Sequence, residues 1–135
     1  MSFDQTLTTQ AKLVALQALA AGTLKMALYT ASADLNAETL VYTTANEVVG
    51  TGYVAGGNTL TNVTVLASGT TAYLDFDNVV WNPASFTARG ALIYNTSLGN
   101  LAVAVLDFGS DKTSTTSFTV QTPANTADAA LIRFA

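Results

Sequence analysis

The chain has no histidine and no cysteine, and only 10% of its 135 residues are charged, where soluble domains usually carry about 25%. Without histidine, the commonest general base and metal ligand is missing, and so are the Ser-His-Asp and Cys-His arrangements. Without cysteine there is no disulfide framework and no thiolate metal site. Lys and Arg number 5 against 9 Asp and Glu, for a net charge of −4. So few cations, with no basic cluster, argue against binding nucleic acid, whose phosphates must be neutralised. The same shortage argues against an anionic membrane surface. Low charge on a chain that is 50% hydrophobic leaves little to keep copies apart in solution. A subunit that covers much of its surface with partners has no such need, although the abundant Thr, Ser and Asn offer another polar surface.

The most apolar N-terminal stretch, Leu13 to Ala21, is too short to span a bilayer. Only Lys12 precedes it, and Asp4 stands where a signal peptide would carry positive charge, so the chain reads as mature and soluble. The length suits one domain, with residues 1–22 as an N-terminal helix or arm and 23–135 as a β-sandwich. Asp4 is a candidate cap for that helix, Leu13, Leu16 and Ala20 recur at helical spacing, and Gly22 marks its stop. Beyond Gly22 the composition turns to Thr, Val, Tyr and Phe, which suit a pleated, half-buried surface.

Strands are predicted at Leu24–Thr30, Thr59–Leu66, Thr71–Phe76, Phe86–Tyr94, Leu101–Phe108, Ser117–Gln121 and Ala129–Phe134, with a short extended piece near Leu40–Tyr42. In the first, Leu24, Met26 and Leu28 alternate with Lys25, Ala27 and Tyr29. The Leu101–Phe108 run is apolar on both faces and is expected in the middle of the fold or in an interface. A polar loop is expected at Ser110–Thr116, and Trp81-Asn82-Pro83 should break the strand pattern, since proline cannot sit in a central strand. The pattern predicts a mainly β fold, an antiparallel sandwich (jelly-roll-like) or a barrel, with one N-terminal α-helix.

Few residues offer chemistry. Asp75 and Asp77, at strand spacing, share a face and could flank a glycosidic bond or a cation, but such pairs more often solvate an outer face. Asp107-Phe-Gly-Ser-Asp111 has the magnesium-binding tripeptide of kinases without the rest of a kinase. The glycines from Gly50 to Gly57 lack the Gly-Lys-Ser/Thr ending of a P-loop and read as tight turns. Arg89 sits in an apolar run and needs an acidic side chain or loop carbonyls beside it. Tyr29, Tyr42, Tyr53, Tyr73 and Tyr94 could stack on sugars, but scattered tyrosines in β domains more often serve core or interface. No catalytic residue, metal site or cofactor is expected.

Four segments in order carry a further likeness: Lys25-Met-Ala-Leu-Tyr-Thr30; Asn46-Glu-Val-Val-Gly-Thr-Gly-Tyr53 with Gly56-Gly57; Trp81-Asn82 leading to Ala88-Arg-Gly-Ala-Leu-Ile-Tyr-Asn95; and Ala104-Val-Leu-Asp-Phe-Gly109 before a Thr-rich strand. This order resembles small virion structural proteins of tailed bacteriophages, of the capsid cement or decoration type. The resemblance implies a non-enzymatic role at the capsid surface, with the major capsid protein as partner. A homotrimer or other homo-oligomer is expected, with no nucleic acid and no membrane. The alternative is a tail, baseplate or fibre component, with binding of host surface glycans as the role it would imply. Leu13, Leu16, Leu101, Val103 and Phe134, on the helix and the most apolar strands, are the candidate interface residues.

Overall fold

The structure, a computed structural model, describes residues 3, 5–123, 126 and 128–134. Among the described residues one α-helix, α1 (Thr9–Leu19), precedes nine strands, and a short 3-10 turn (Thr96–Leu98) joins the sixth to the seventh. These are β1 (Leu24–Tyr29), β2 (Asn58–Thr59), β3 (Thr64–Ser68), β4 (Thr71–Asp75), β5 (Val79–Trp81), β6 (Phe86–Asn95), β7 (Leu101–Ser114), β8 (Phe118–Val120) and β9 (Ile132–Phe134). They form three antiparallel sheets, in the orders β2-β1-β6-β7, β3-β4-β9 and β5-β8. The mainly β architecture with one N-terminal helix is the one the sequence predicts. None of the sheets closes into a barrel.

Alternation in β1 and β6 explains how the layers meet. Leu24, Met26 and Leu28 of β1 and Ala91 and Ile93 of β6 point into the main core. There they meet Ala72 and Leu74 of β4, Val79 and Trp81 of β5, and Phe118 and Val120 of β8. Their neighbours Ala27, Tyr29, Leu92 and Tyr94 form a second cluster on the opposite face, against Ala33, Leu35 and Tyr42. Strand β1 and the second half of β6 are thus buried on both faces, by the other sheets on one side and by the long excursion between β1 and β2 on the other.

The helix starts where Thr8 accepts a hydrogen bond from the Ala11 N–H at 3.2 Å. Asp4, the cap predicted from sequence, lies outside the described residues. Leu16 packs into the main core with Leu13 and Leu19 beside it, and Lys12, itself buried, donates from Nζ to the Thr70 carbonyl at 2.7 Å. The arm therefore lies on the β3–β4–β9 side of the molecule. Asn95 fixes its far end. Fully buried, its Nδ2 donates to the carbonyls of Leu19 and Ala21 at 2.8 Å each, and its Oδ1 accepts from the Ser97 N–H at 2.9 Å. Those two carbonyls lie at the helix's C-terminal end, where carbonyls run out of intrahelical donors. Asn95→Ala should destabilise the chain by about 3 kcal/mol, and hydrogen exchange should speed up across α1 before the rest of the protein.

Three strand predictions need correction. The Thr59–Leu66 run divides into β2 and β3, because Asn62 adopts a left-handed conformation at φ 55°. The Asp77 carboxylate accepts from both Thr61 and Asn62 and holds that turn. The last strand is shorter than predicted, covering Ile132–Phe134 only. The Leu101–Phe108 run is not in the middle of the fold: β7 is an edge strand and continues through the predicted polar loop to Ser114. Pairing jumps from Gly90–Asp107 to Ala88–Lys112, so Phe108–Asp111 bulge out opposite Arg89. Beyond the bulge, polar residues still form ladder pairs, and Thr87 and Thr113 join through their hydroxyls at 2.8 Å.

Candidate functional site

The strongest concentration of polar chemistry lies where the excursion from Thr30 to Gly57 folds back over the outer face of β1 and β6. Its centre is Glu47, a buried carboxylate. Tyr42 donates its hydroxyl to Oε1 at 2.6 Å, Tyr53 donates to Oε2, and the Gly56 N–H donates to Oε2 at 2.8 Å. The Tyr53 hydroxyl also accepts from the Leu28 N–H at 3.0 Å, which ties the cluster to β1. Tyr29 donates to the Thr43 carbonyl at 2.6 Å and Tyr94 to the Gly56 carbonyl at 2.7 Å. Tyr42 stacks on Tyr94 with ring centroids 4.6 Å apart. One carboxylate thus joins three stretches of the excursion to the sheet beneath.

Local backbone makes this possible. Val48 N–H donates to the Leu28 carbonyl at 2.9 Å, and Tyr29 and Glu47 form an isolated antiparallel bridge. The run Gly50 to Gly57 forms the tight turns predicted, and it brings a backbone N–H, not a lysine or a phosphate cradle, to the acid.

Burial first, and the Glu47 carboxylate second, push the hydroxyls of Tyr29, Tyr42 and Tyr53 well above the usual tyrosine range and raise that of Tyr94. In the unfolded chain they ionise near pH ~10. Their folded values are raised, so the native state holds these protons after the unfolded state has released them. The stability they contribute is fully present below about pH 10 and falls as pH rises above it. In an alkaline titration, phenolate absorbance from these residues should appear together with loss of the near-ultraviolet dichroism. Early, independent ionisation of all four would contradict the buried cluster.

The other sequence candidates lie elsewhere and do not converge. Asp75 ends β4, while Asp77 sits beyond the strand and is engaged by Thr61 and Asn62, so the two do not present a common catalytic face. Arg89 finds the acidic partner its surroundings require, pairing with Asp107. The Gly109 N–H donates to Asp107 at 2.8 Å and, with Arg89 after it, holds this carboxyl below the usual aspartate range. Asp107-Phe-Gly-Ser-Asp111 is thus the bulge of an edge strand. Among the described residues no group of three or more acidic side chains is placed to hold a metal ion.

The interface candidates divide. Leu16 is committed to the chain's own core, and Leu13 and Val103 are half-buried against it. Leu101 is half-buried at the start of β7, and Phe134 is exposed at the end of β9. The outer side of β7 is covered only at its beginning: Val41 bridges Leu101, Ala102 N–H donates to the Leu40 carbonyl at 3.0 Å, and Tyr42 N–H to the Asn100 carbonyl at 2.9 Å. Farther along, no described strand pairs with it. Beside it lies an open groove of about 550 Å³. Sequence reasoning missed Glu47 altogether. The available signal was an acid set against Val48 and Val49 among flanking tyrosines, but the contacts that matter join residues distant in sequence. No family model, curated protein or solved structure matches this chain.

Proposed function

We propose that this chain is a non-enzymatic structural subunit of a tailed-phage virion, of the capsid cement or decoration type, which stabilises the major capsid protein shell through protein–protein contacts. The observation that carries this reading is a division of labour. The buried carboxylate of Glu47 and the tyrosines around it are engaged in shaping the molecule. Meanwhile the long edge strand β7 has no described strand on its outer side beyond its first residues, and Val105 along it is exposed. An open strand edge on a weakly charged molecule is a surface for association. Repeated by symmetry over a shell, modest contacts of this kind add up to firm attachment without any chemistry. A homotrimer on the capsid surface fits this reading, and neither nucleic acid nor membrane has a part in it.

A tail or fibre role through sugar-stacking tyrosines draws less support from the geometry. Tyr29 and Tyr94 are buried, and the hydroxyls of Tyr42 and Tyr53 turn to Glu47. Purified protein should bind shells that lack it and raise the temperature at which those shells break open. Failure to bind such shells would refute the reading.

A further inference from the structure

The five tyrosines differ in what their hydroxyls face and in how far solvent reaches them. Tyr29 and Tyr94 are buried and donate to backbone carbonyls, which do not keep a proton. Tyr53 donates to Glu47, but its ring is packed against Trp81 and Phe86 of the main core. Tyr73 is half-buried on β4, and its hydroxyl donates to no carboxylate among the described residues. Tyr42 combines access with a base. It is half-buried on the outer face of the sheet, and it donates to the carboxylate oxygen Glu47 Oε1 at 2.6 Å.

A phenol that loses one electron becomes a strong acid, so the electron leaves easily only when a base takes the proton in the same event. Glu47 Oε1 already accepts the hydrogen bond made by that proton, and the bond is charge-assisted. The Tyr94 ring lies stacked on Tyr42 with centroids 4.6 Å apart, a π-face that stabilises an electron-poor neighbour. The other route, ionisation before oxidation, is closed at neutral pH, because burial and then Glu47 push the Tyr42 hydroxyl well above the usual tyrosine range.

We propose that Tyr42 is the position at which one-electron oxidation enters this chain, its ring giving the electron to an oxidant in solvent and its phenolic proton to Glu47 Oε1. With carbonate radical as the oxidant and nitrogen dioxide as the second reactant, the outcome is a modified side chain. Carbonate radical takes the electron and becomes carbonate, leaving a neutral Tyr42 phenoxyl beside a protonated Glu47. Nitrogen dioxide then bonds to the ring carbon next to the phenoxyl oxygen. The hydrogen on that carbon moves to the oxygen, which gives 3-nitrotyrosine. Glu47 returns its proton to carbonate, which ends as bicarbonate. None of this depends on the virion reading, since it needs only the cluster around Glu47.

Peroxynitrite in bicarbonate buffer supplies both radicals, and peptide mass spectrometry of the treated full chain reads which tyrosines carry a nitro group. Tyr42 should be nitrated roughly tenfold more than Tyr73, a modest share of what a positioned base contributes. Tetranitromethane nitrates the phenolate and so needs ionisation first. It should reverse the order and favour Tyr73 over Tyr42. Glu47→Gln removes the base and should bring radical nitration of Tyr42 down to that of Tyr73, with circular dichroism showing that the variant is folded. Tyr42 leading with both reagents would overturn the proposal, because access alone would then explain its reactivity. Tyr73 leading with both, or a Tyr42 excess that persists in folded Glu47→Gln, would overturn it as well.

Discussion

Glu47→Ala is expected to destabilise the protein by about 4 kcal/mol, a large share of the ~5–15 kcal/mol that holds an ordinary domain folded. Truncation leaves the hydroxyls of Tyr42 and Tyr53 and the Gly56 N–H without their acceptor, and each donor stranded away from water costs about 1–3 kcal/mol. Tyr42, half-buried, recovers part of this by turning to solvent. The Gly56 amide is in a buried bond and cannot. Glu47→Gln keeps the volume and one acceptor oxygen but points an amide donor at other donors, so it should lose about half as much. Urea denaturation of the three proteins gives the order wild type, Gln, Ala. Hydrogen exchange should localise the loosening to the excursion between Thr30 and Gly57 while β6 stays protected. A loss below about 1 kcal/mol for the alanine variant would mean that the carboxylate does not organise this part of the fold.

Gly57→Ala should be nearly as damaging, for a different reason. A Cβ at position 57 would stand 1.8 Å from the Met26 carbonyl oxygen and 2.6 Å from its carbon, with φ at +77°. Backbone of β1 cannot yield as a side chain would, because Met26 is also paired with Ile93. Left-handed strain and the forced displacement together give about 4 kcal/mol. Gly69→Ala is the matching control. Its φ is +60°, but nothing lies within 4 Å of the added carbon, so only the conformational penalty of about 1 kcal/mol applies. A urea midpoint shift several times larger at 57 than at 69 is expected. Equal shifts would show that the close approach of the two backbones is not maintained in solution.

Much of the fold could be read in the sequence where local pattern and tertiary burial agree. In β1, strict alternation assigns Leu24, Met26 and Leu28 to one face and Ala27 and Tyr29 to the other, and each set found its own cluster. The excess of apolar residues in β6 was legible for the same reason. What failed was non-local. The Leu101–Phe108 run, apolar on both faces, suits the middle of the fold or an interface, and the first of these is ruled out because position in a sheet depends on which strands pair, and β7 has a described strand on one side only. Its extension to Ser114 depends on a bulge whose residues face Arg89, a register no periodicity reveals. Glu47 was hidden likewise: in sequence it belongs to a glycine-rich turn region, and only folding brings Tyr42, Tyr53 and Gly56 around it. The need for an acid beside Arg89 could be foreseen because an unpaired guanidinium in an apolar run is costly. Its identity as Asp107 could not.

The proposed role is that of a structural piece of a virus shell, and the chain's place on the particle tests it most directly. Antibody raised against the purified chain, applied to intact particles with gold for electron microscopy, should mark the head at regularly spaced positions over its whole surface. Gold confined to the tail, or absent from purified particles, would contradict the account.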